Sequence, residues 1–188
     1  MDFTLRMLRA MTNTHKGNRG FTLIEALIAM FLLTVGLTGL LGLFGFGIKH
    51  QQIEREDFIA KEKARECFES IYGARNAGQL TWDQVNNVGG GGSGVFVTGF
   101  NPLLGPGADG ILATADDSGA ETYTLPGPDG IFGTSDDVSV TLSNFTREVV
   151  ISPILNNPTL KQVTITVRIT STTGQRDYIV VGFISESH

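Results

Sequence analysis

From Ala26 to Ile48 the chain reads ALIAMFLLTVGLTGLLGLFGFGI, 23 residues without a charge, bounded by Glu25 and Lys49. No other feature narrows the possible folds so far. As an α-helix the run rises about 1.5 Å per residue, roughly 35 Å in all, enough to cross a hydrocarbon core about 30 Å thick. It reads as a membrane segment. Residues 1–20 carry Arg6, Arg9, Lys16 and Arg19 against Asp2, whereas the flank KHQQIEREDFIAKEKARE mixes both signs. The positive-inside bias therefore keeps 1–20 in the cytoplasm and sends everything after Lys49 outward.

A secretory signal has an apolar core of about 7–15 residues with its cut site after the core. Here the core is longer, and the polar break with Gly20 precedes it. A cut at that break leaves the membrane helix on the mature chain and creates a new amino terminus on Phe21. A carboxylate costs about 2.5–3.5 kcal/mol at the centre of a membrane helix and less near its edge, so Glu25 marks a candidate functional position. The ammonium on Phe21 and Glu25 would be opposite charges about one helical turn apart. Between chains, the ammonium of one subunit neutralises Glu25 of the next, which makes Glu25 an assembly selector. The plainer reading, in which Glu25 only marks the interfacial end of a membrane helix, stays open.

GFTLIEALIAM, residues 20–30, with its short basic leader and long apolar helix, resembles the N-terminus of type IV prepilins and of type II secretion pseudopilins. The resemblance implies cleavage of the Gly20–Phe21 bond by a prepilin peptidase, methylation of Phe21, and an assembly role for Glu25. It also implies a single-pass protein of the bacterial inner membrane, its C-terminal domain in the periplasm, that later enters a pilus or pseudopilus. The implied partners are the prepilin peptidase/methylase, other pilin or pseudopilin subunits and an inner-membrane assembly platform. FTREVVISPI, 145–154, and LKQVTITVRITSTTGQRDYIVVGFIS, 160–185, look like the closing strands of a minor pilin of the pilus-modification type. Many major pilins carry a proline in the membrane helix and a C-terminal cysteine pair, but here the first proline is Pro102 and Cys67 is the sole cysteine. The expected function is thus that of a structural minor subunit of a type IV pilus that primes or modifies the filament. A secretion pseudopilin, and an unprocessed single-pass protein with a partner-binding ectodomain, remain open alternatives.

The expected organisation is a removable leader over 1–20, a transmembrane or filament-core helix over 21–48, its exported continuation over 49–75 and a β-rich globular domain over 76–188. Gly36, Gly39, Gly42, Gly45 and Gly47 give the membrane helix a small-residue seam for close helix approach. Gly42 to Gly47 is also the candidate segment to loosen when helices enter a filament. Beyond Lys49, Ile53, Ala60, Ala64, Cys67 and Ile71 form one apolar stripe, broadened by Phe58 and Phe68. This predicts one helix of about 50 residues, from Phe21 to near Gly73, with its outer half packed on a sheet. Cys67 packs there as a small apolar residue.

GADGILATADD, 107–117, and GPDGIFGTSDD, 127–137, repeat at an offset of 20 residues. Each joins an Asp-Gly turn to an Asp-Asp pair. Asp109, Asp116 and Asp117, then Asp129, Asp136 and Asp137, are candidate calcium ligands, because calcium accepts oxygen-only sets in flexible loops. No cofactor is required by this reading, and calcium is an optional one. The bland reading is that these residues end strands in tight solvated turns. ETYTL, 121–125, and VSVTLS, 138–143, complete two turn–strand units. VFVTGF, 95–100, is a strand candidate, and NNVGGGGSG, 86–94, is a loop that lacks the features of a phosphate cradle. VTITVRI, 163–169, alternates as a half-buried strand, and GQRDYIVVGFIS, 174–185, reads as a more buried partner joined to it around 171–174. The fold class is α+β: a long N-terminal helix on a small antiparallel sheet, pilin-like.

His15, His50 and His188 combine with neither Cys67 nor a serine in a nucleophile–base pattern, so an enzyme is not expected. Without the leader the chain keeps ten basic and 18 acidic side chains. That balance argues against direct nucleic-acid binding.

Overall fold

The computed structural model describes residues 20–90, 92–171 and 174–186. The basic leader, the tip of the expected hairpin at 172–173 and His188 lie outside the described residues. Two compact units divide the chain, Met1–Lys49 and His50–His188, and a single helix, α1 (Leu23–Asn76), contributes to both.

In the first unit α1 begins with a capping interaction: the Glu25 amide donates to Thr22 Oγ1 at 3.3 Å. Thr22 thereby satisfies one of the backbone donors that every helix start leaves free. The apolar side chains that follow are exposed, among them Leu27, Met30, Phe31, Leu41, Phe44 and Ile48. By length and composition this is a helix able to cross a membrane. The Thr34 and Thr38 hydroxyls donate to the carbonyls of Met30 and Thr34, both at 2.8 Å. No donor is left facing hydrocarbon at either threonine. The helix runs unbroken through the five glycines.

In the second unit α1 buries Ile59, Ala60, Ala64, Cys67, Ile71 and Ala74, steps of one, four, three, four and three that keep one face of a 3.6-residue helix inward. The expected broadening by Phe58 is not found: Phe58 points away from this face and is 52% exposed. α1 ends in a Schellman arrangement, the Gly78 amide donating to the Arg75 carbonyl at 3.1 Å and the Gln79 amide to the Ala74 carbonyl at 2.9 Å. Gly78 holds φ +73° there, a left-handed conformation that glycine adopts without a steric penalty.

Among the described residues eight strands follow: β1 (Asn101–Pro102), β2 (Leu104–Gly105), β3 (Ser118–Ala120), β4 (Thr122–Leu125), β5 (Val138–Thr141), β6 (Phe145–Ile154), β7 (Asn157–Ser171) and β8 (Gly174–Ser185). The main sheet is antiparallel in the order β1-β6-β7-β8. Period-two alternation directs Val149 and Ile151 of β6, and Val163, Ile165, Val167 and Ile169 of β7, into the core that α1 covers. The architecture is therefore α+β, one long helix packed on antiparallel sheet, as the sequence led one to expect.

Two strand expectations need correction. VFVTGF makes no strand: its regular pairing is a lone parallel bridge, Asn87 to Phe96, with Phe96 fully buried. The reason lies in Asn87, whose side chain occupies the edge of β6 that a strand would use, donating to the Val149 carbonyl and accepting from the Ile151 amide, both at 2.7 Å. β8, expected as the more buried partner, is the outer strand of the sheet. Its Ile179, Val181 and Phe183 are exposed, because the same alternation that faces Val180 and Ile184 inward turns them outward.

Candidate functional site

Gly20, Phe21 and Thr22 precede the helix without regular structure. Phe21 is 83% exposed, and Gly20 has open space around its α-carbon. The Gly20–Phe21 bond thus lies in an accessible, non-helical stretch immediately before the first turn, the geometry a peptidase needs to reach a backbone. Glu25 is exposed in that first turn, where the partial positive charge of the helix start favours a carboxylate. Sequence reasoning overlooked the capping role of Thr22. Its signature, Thr22 followed three residues later by Glu25 and then an apolar run, is the capping-box pattern.

The two Asp-rich repeats fold alike. Loop 1 (107–117) crowns the β2–β3 ribbon and loop 2 (127–137) crowns the β4–β5 ribbon. Each repeat is accordingly a hairpin tip, where the expectation was a turn leading into one strand. In loop 1 Asp109 Oδ1 accepts from the Ile111 amide at 2.8 Å, and Asp117 Oδ2 from the Ala113 amide at 2.7 Å. In loop 2 Asp129 Oδ1 and Asp137 Oδ2 accept from the Ile131 and Gly133 amides at 2.8 and 2.7 Å. The Thr114 hydroxyl lies 2.7 Å from Asp116 Oδ1 and 3.2 Å from Asp117 Oδ1. Its counterpart Thr134 lies 2.6 Å from Asp136 Oδ1 and 3.5 Å from Asp137 Oδ1. The threonine hydroxyls hold the Asp116 and Asp136 carboxyls below the ordinary carboxylate range, helped at Asp116 by the Asp109 amide. A β-carbon at Gly107 or Gly127 would collide with the Asp116 or Asp136 carboxylate, so the repeat needs glycine at its first position for lack of room.

For calcium, the donor chemistry is suitable but the arrangement falls short. Within each loop two carboxylates converge on one threonine hydroxyl, and among the described residues no group of three or more His, Cys, Asp or Glu is placed to hold a metal. Calcium takes six to eight oxygens. As folded here, the loops close on hydrogen bonds.

Loop 1 is also wired to the core. Arg147 of β6, 4% exposed, donates from Nη1 to Glu121 Oε1 at 3.1 Å and from Nη2 to the Leu104 carbonyl at 3.3 Å. Its Nη2 lies 3.7 Å from Asp117 Oδ2. Lys63 of α1 completes the cluster, its Nζ 2.8 Å from both Glu121 Oε2 and Glu66 Oε2. Burial raises the Asp117 pKa above the ordinary value, against hydrogen bonds and Arg147 that pull it down. At Lys63 burial pulls the other way and is outweighed by Glu121 and Glu66, so its pKa is raised. Two cations and two buried anions, Arg147 and Lys63 with Glu121 and Asp117, thus tie helix, sheet and loop 1 together. Neither this cluster nor Asn87 was foreseen, since residues so far apart in sequence carry no local signal.

Cys67 is fully buried, and burial pushes its thiol up to about 12; it packs and does not present a nucleophile. His50 lies exposed on α1, 3.9 Å from Glu54.

Comparison with curated proteins and with solved structures yields no match. A family model does match: residues 15–41 fit the prokaryotic N-terminal methylation motif, and that span includes Gly20, Phe21 and Glu25. The chain therefore carries a type IV pilin-like prepilin signal, which supports a place in the pilin and pseudopilin superfamily.

Proposed function

We propose that the protein is a minor structural subunit of a type IV pilus. Its first helical segment stores it in the inner membrane with the C-terminal domain in the periplasm. A prepilin peptidase cuts Gly20–Phe21 and methylates Phe21, and the assembly platform then draws the helix into a filament with other pilin subunits. The observation that carries this reading is the methylation motif over residues 15–41, which runs into a membrane-length helix whose start is exposed. In the filament core the Phe21 ammonium of one subunit meets Glu25 of another. Desolvated there, the unpaired carboxylate is far more costly than the pair.

Replacing Glu25 tests the assembly role. Glu25→Ala and Glu25→Gln should insert into the membrane at normal levels and be missing from sheared filaments. Normal incorporation of either variant defeats the role given to the carboxylate. Wild-type chain held in the cell envelope and absent from sheared pili would instead point to a secretion pseudopilus.

Calcium at the two loops is a separate proposal. It is supported by six carboxylates in two like-folded loops, and it requires Asp116 and Asp136 to turn from their threonines toward a cation. Calorimetric titration of the detergent-solubilised chain with millimolar calcium decides it: heat of binding and a raised melting temperature support the site, and their absence removes it.

A further inference from the structure

The two loops share a frame and differ in what surrounds the apolar pair at its centre. Ile111 and Leu112 of loop 1 are 4% and 3% exposed, whereas Ile131 and Phe132 of loop 2 are 60% and 63% exposed. Loop 1 shows where this frame sends its pair, namely into an apolar seat on another element. Loop 2 holds the same pair on an arm made of β4 and β5 alone, a two-stranded sheet of its own. Val138 and Val140, directly opposite Leu125 and Tyr123, extend the exposed apolar side down that arm. An isolated two-stranded ribbon is marginal in water, and an aromatic tip on it is a natural anchor for a pocket elsewhere.

Two of the larger surface grooves of the second unit flank α1, and charge separates them as seats for such a tip. The first, about 650 Å³, lies between loop 1 and the face of α1 that carries Glu62, Arg65, Glu66 and Glu69. Its acids outnumber its one cation, so it repels a tip ringed by Asp129, Asp136 and Asp137. The second, about 480 Å³, is lined by Phe58 and Lys61 of α1, Ile169 of β7 and Tyr178 of β8, with Asp57, Arg176 and Asp177 around them. There Arg176 pairs with Glu56 and Asp57, at 2.6 and 3.1 Å, and Asp177 pairs with Arg168 at 2.7 Å. Lys61 is exposed and has no ion pair among the described residues. Phe58, 52% exposed, supplies the apolar wall. The charges lining this groove balance, Asp57 and Asp177 against Lys61 and Arg176, and Lys61 stands outside the pairs, so an acidic apolar tip is accepted here and repelled at the first groove.

We propose that Ile131 and Phe132 at the tip of the β4–β5 arm dock into the groove of a second copy of this chain, between Phe58, Lys61 and Tyr178. Tip and groove are different surfaces, so the contact is heterologous: the donor copy keeps its groove free and the acceptor copy its tip, and the association can continue without closing. The inference does not depend on cleavage at Gly20 or on Glu25, since two copies can meet this way in the membrane or in a filament.

The test is photo-crosslinking in membranes, using full-length chain with p-benzoylphenylalanine in place of Phe132 alongside a second, differently tagged copy. Crosslinked pairs of the two tags should form, with the attachment mapped by mass spectrometry to the peptide around Phe58–Lys61. Lys61→Glu in the acceptor copy should lower the yield about fivefold, and Lys61→Arg should preserve it. Unchanged melting of the Lys61→Glu chain confirms that the loss is not one of folding. Attachment to 62–74, to the exposed stripe at 179–183, to a different protein or to lipid overturns the proposal, as does a yield insensitive to Lys61→Glu. Absence of any crosslink also overturns it.

Discussion

Loop 1 and loop 2 are near-copies in sequence and hydrogen bonding, yet one is part of the core and the other stands in solvent. In loop 1 the second aspartate of the pair, Asp117, meets the buried guanidinium of Arg147, and the Leu112 amide donates to Ser70 Oγ of α1 at 3.1 Å. In loop 2 Phe132 is largely exposed, and the bonds that shape the loop are internal. The difference teaches that the frame is self-sufficient. Asx-type capping by aspartates and a threonine clip fold the loop locally, and tertiary contact then decides what the apolar pair does.

The comparison breaks most visibly at Arg147. Arg147→Ala leaves Glu121 and Asp117 buried with Lys63 as their remaining cation, and should destabilise the domain by about 3–5 kcal/mol. Thermal or urea melting of the detergent-solubilised chain measures it. A loss under about 1 kcal/mol would mean that water reaches the cluster. Next come the apolar pairs. Leu112→Ala should lower stability by about 2–5 kcal/mol through the cavity it leaves, and Phe132→Ala should stay within about 0.5 kcal/mol. Equal effects in the same melting assay would erase the distinction between the loops.

A smaller test uses a position where the same left-handed backbone carries different residues in the two loops. Ala113 sits at φ +67° where loop 2 has Gly133 at φ +85°. Gly133→Ala should destabilise by about 1 kcal/mol, and Ala113→Gly should be neutral or stabilising by up to about 0.5 kcal/mol.

The smallest effect is in pH. The pKa values of Asp116 and Asp136 are depressed below 3.8. Their contribution is complete above that value and is lost as pH falls through and below it. Asp117 is raised above 3.8, so acidification favours its folded form and partly offsets the loss in loop 1. Amide exchange between about pH 5 and pH 3 should therefore show protection falling further in loop 2 than in loop 1.

The parts legible in the sequence were those governed by local periodicity. The alternation of Val163, Ile165, Val167 and Ile169 gave the β7 face, and the spacing of Ala60, Ala64, Cys67 and Ile71 gave the buried face of α1, all of them at most 1% exposed. The N-terminal methylation motif was legible because charge, glycine and apolar length are local too. The rest depended on partners distant in the chain. Asn87 serves β6 from 62 residues away, and Arg147 reaches Glu121 across 26. An apolar run such as IVVGFIS does not reveal whether its second face will be covered, so β8 looked more buried than it is. The repeat itself was visible, but the fate of Ile131 and Phe132 was not, because what separates them from Ile111 and Leu112 is the neighbouring element.

Processing at the Gly20–Phe21 bond stands behind the proposed function, and it is read most directly from the mass of the mature amino terminus. Protein purified from native membranes should begin at Phe21 and carry one added methyl group on its amine. Material that begins at Met1, or that has been cut at any other bond, would contradict the account and leave an anchored ectodomain in its place.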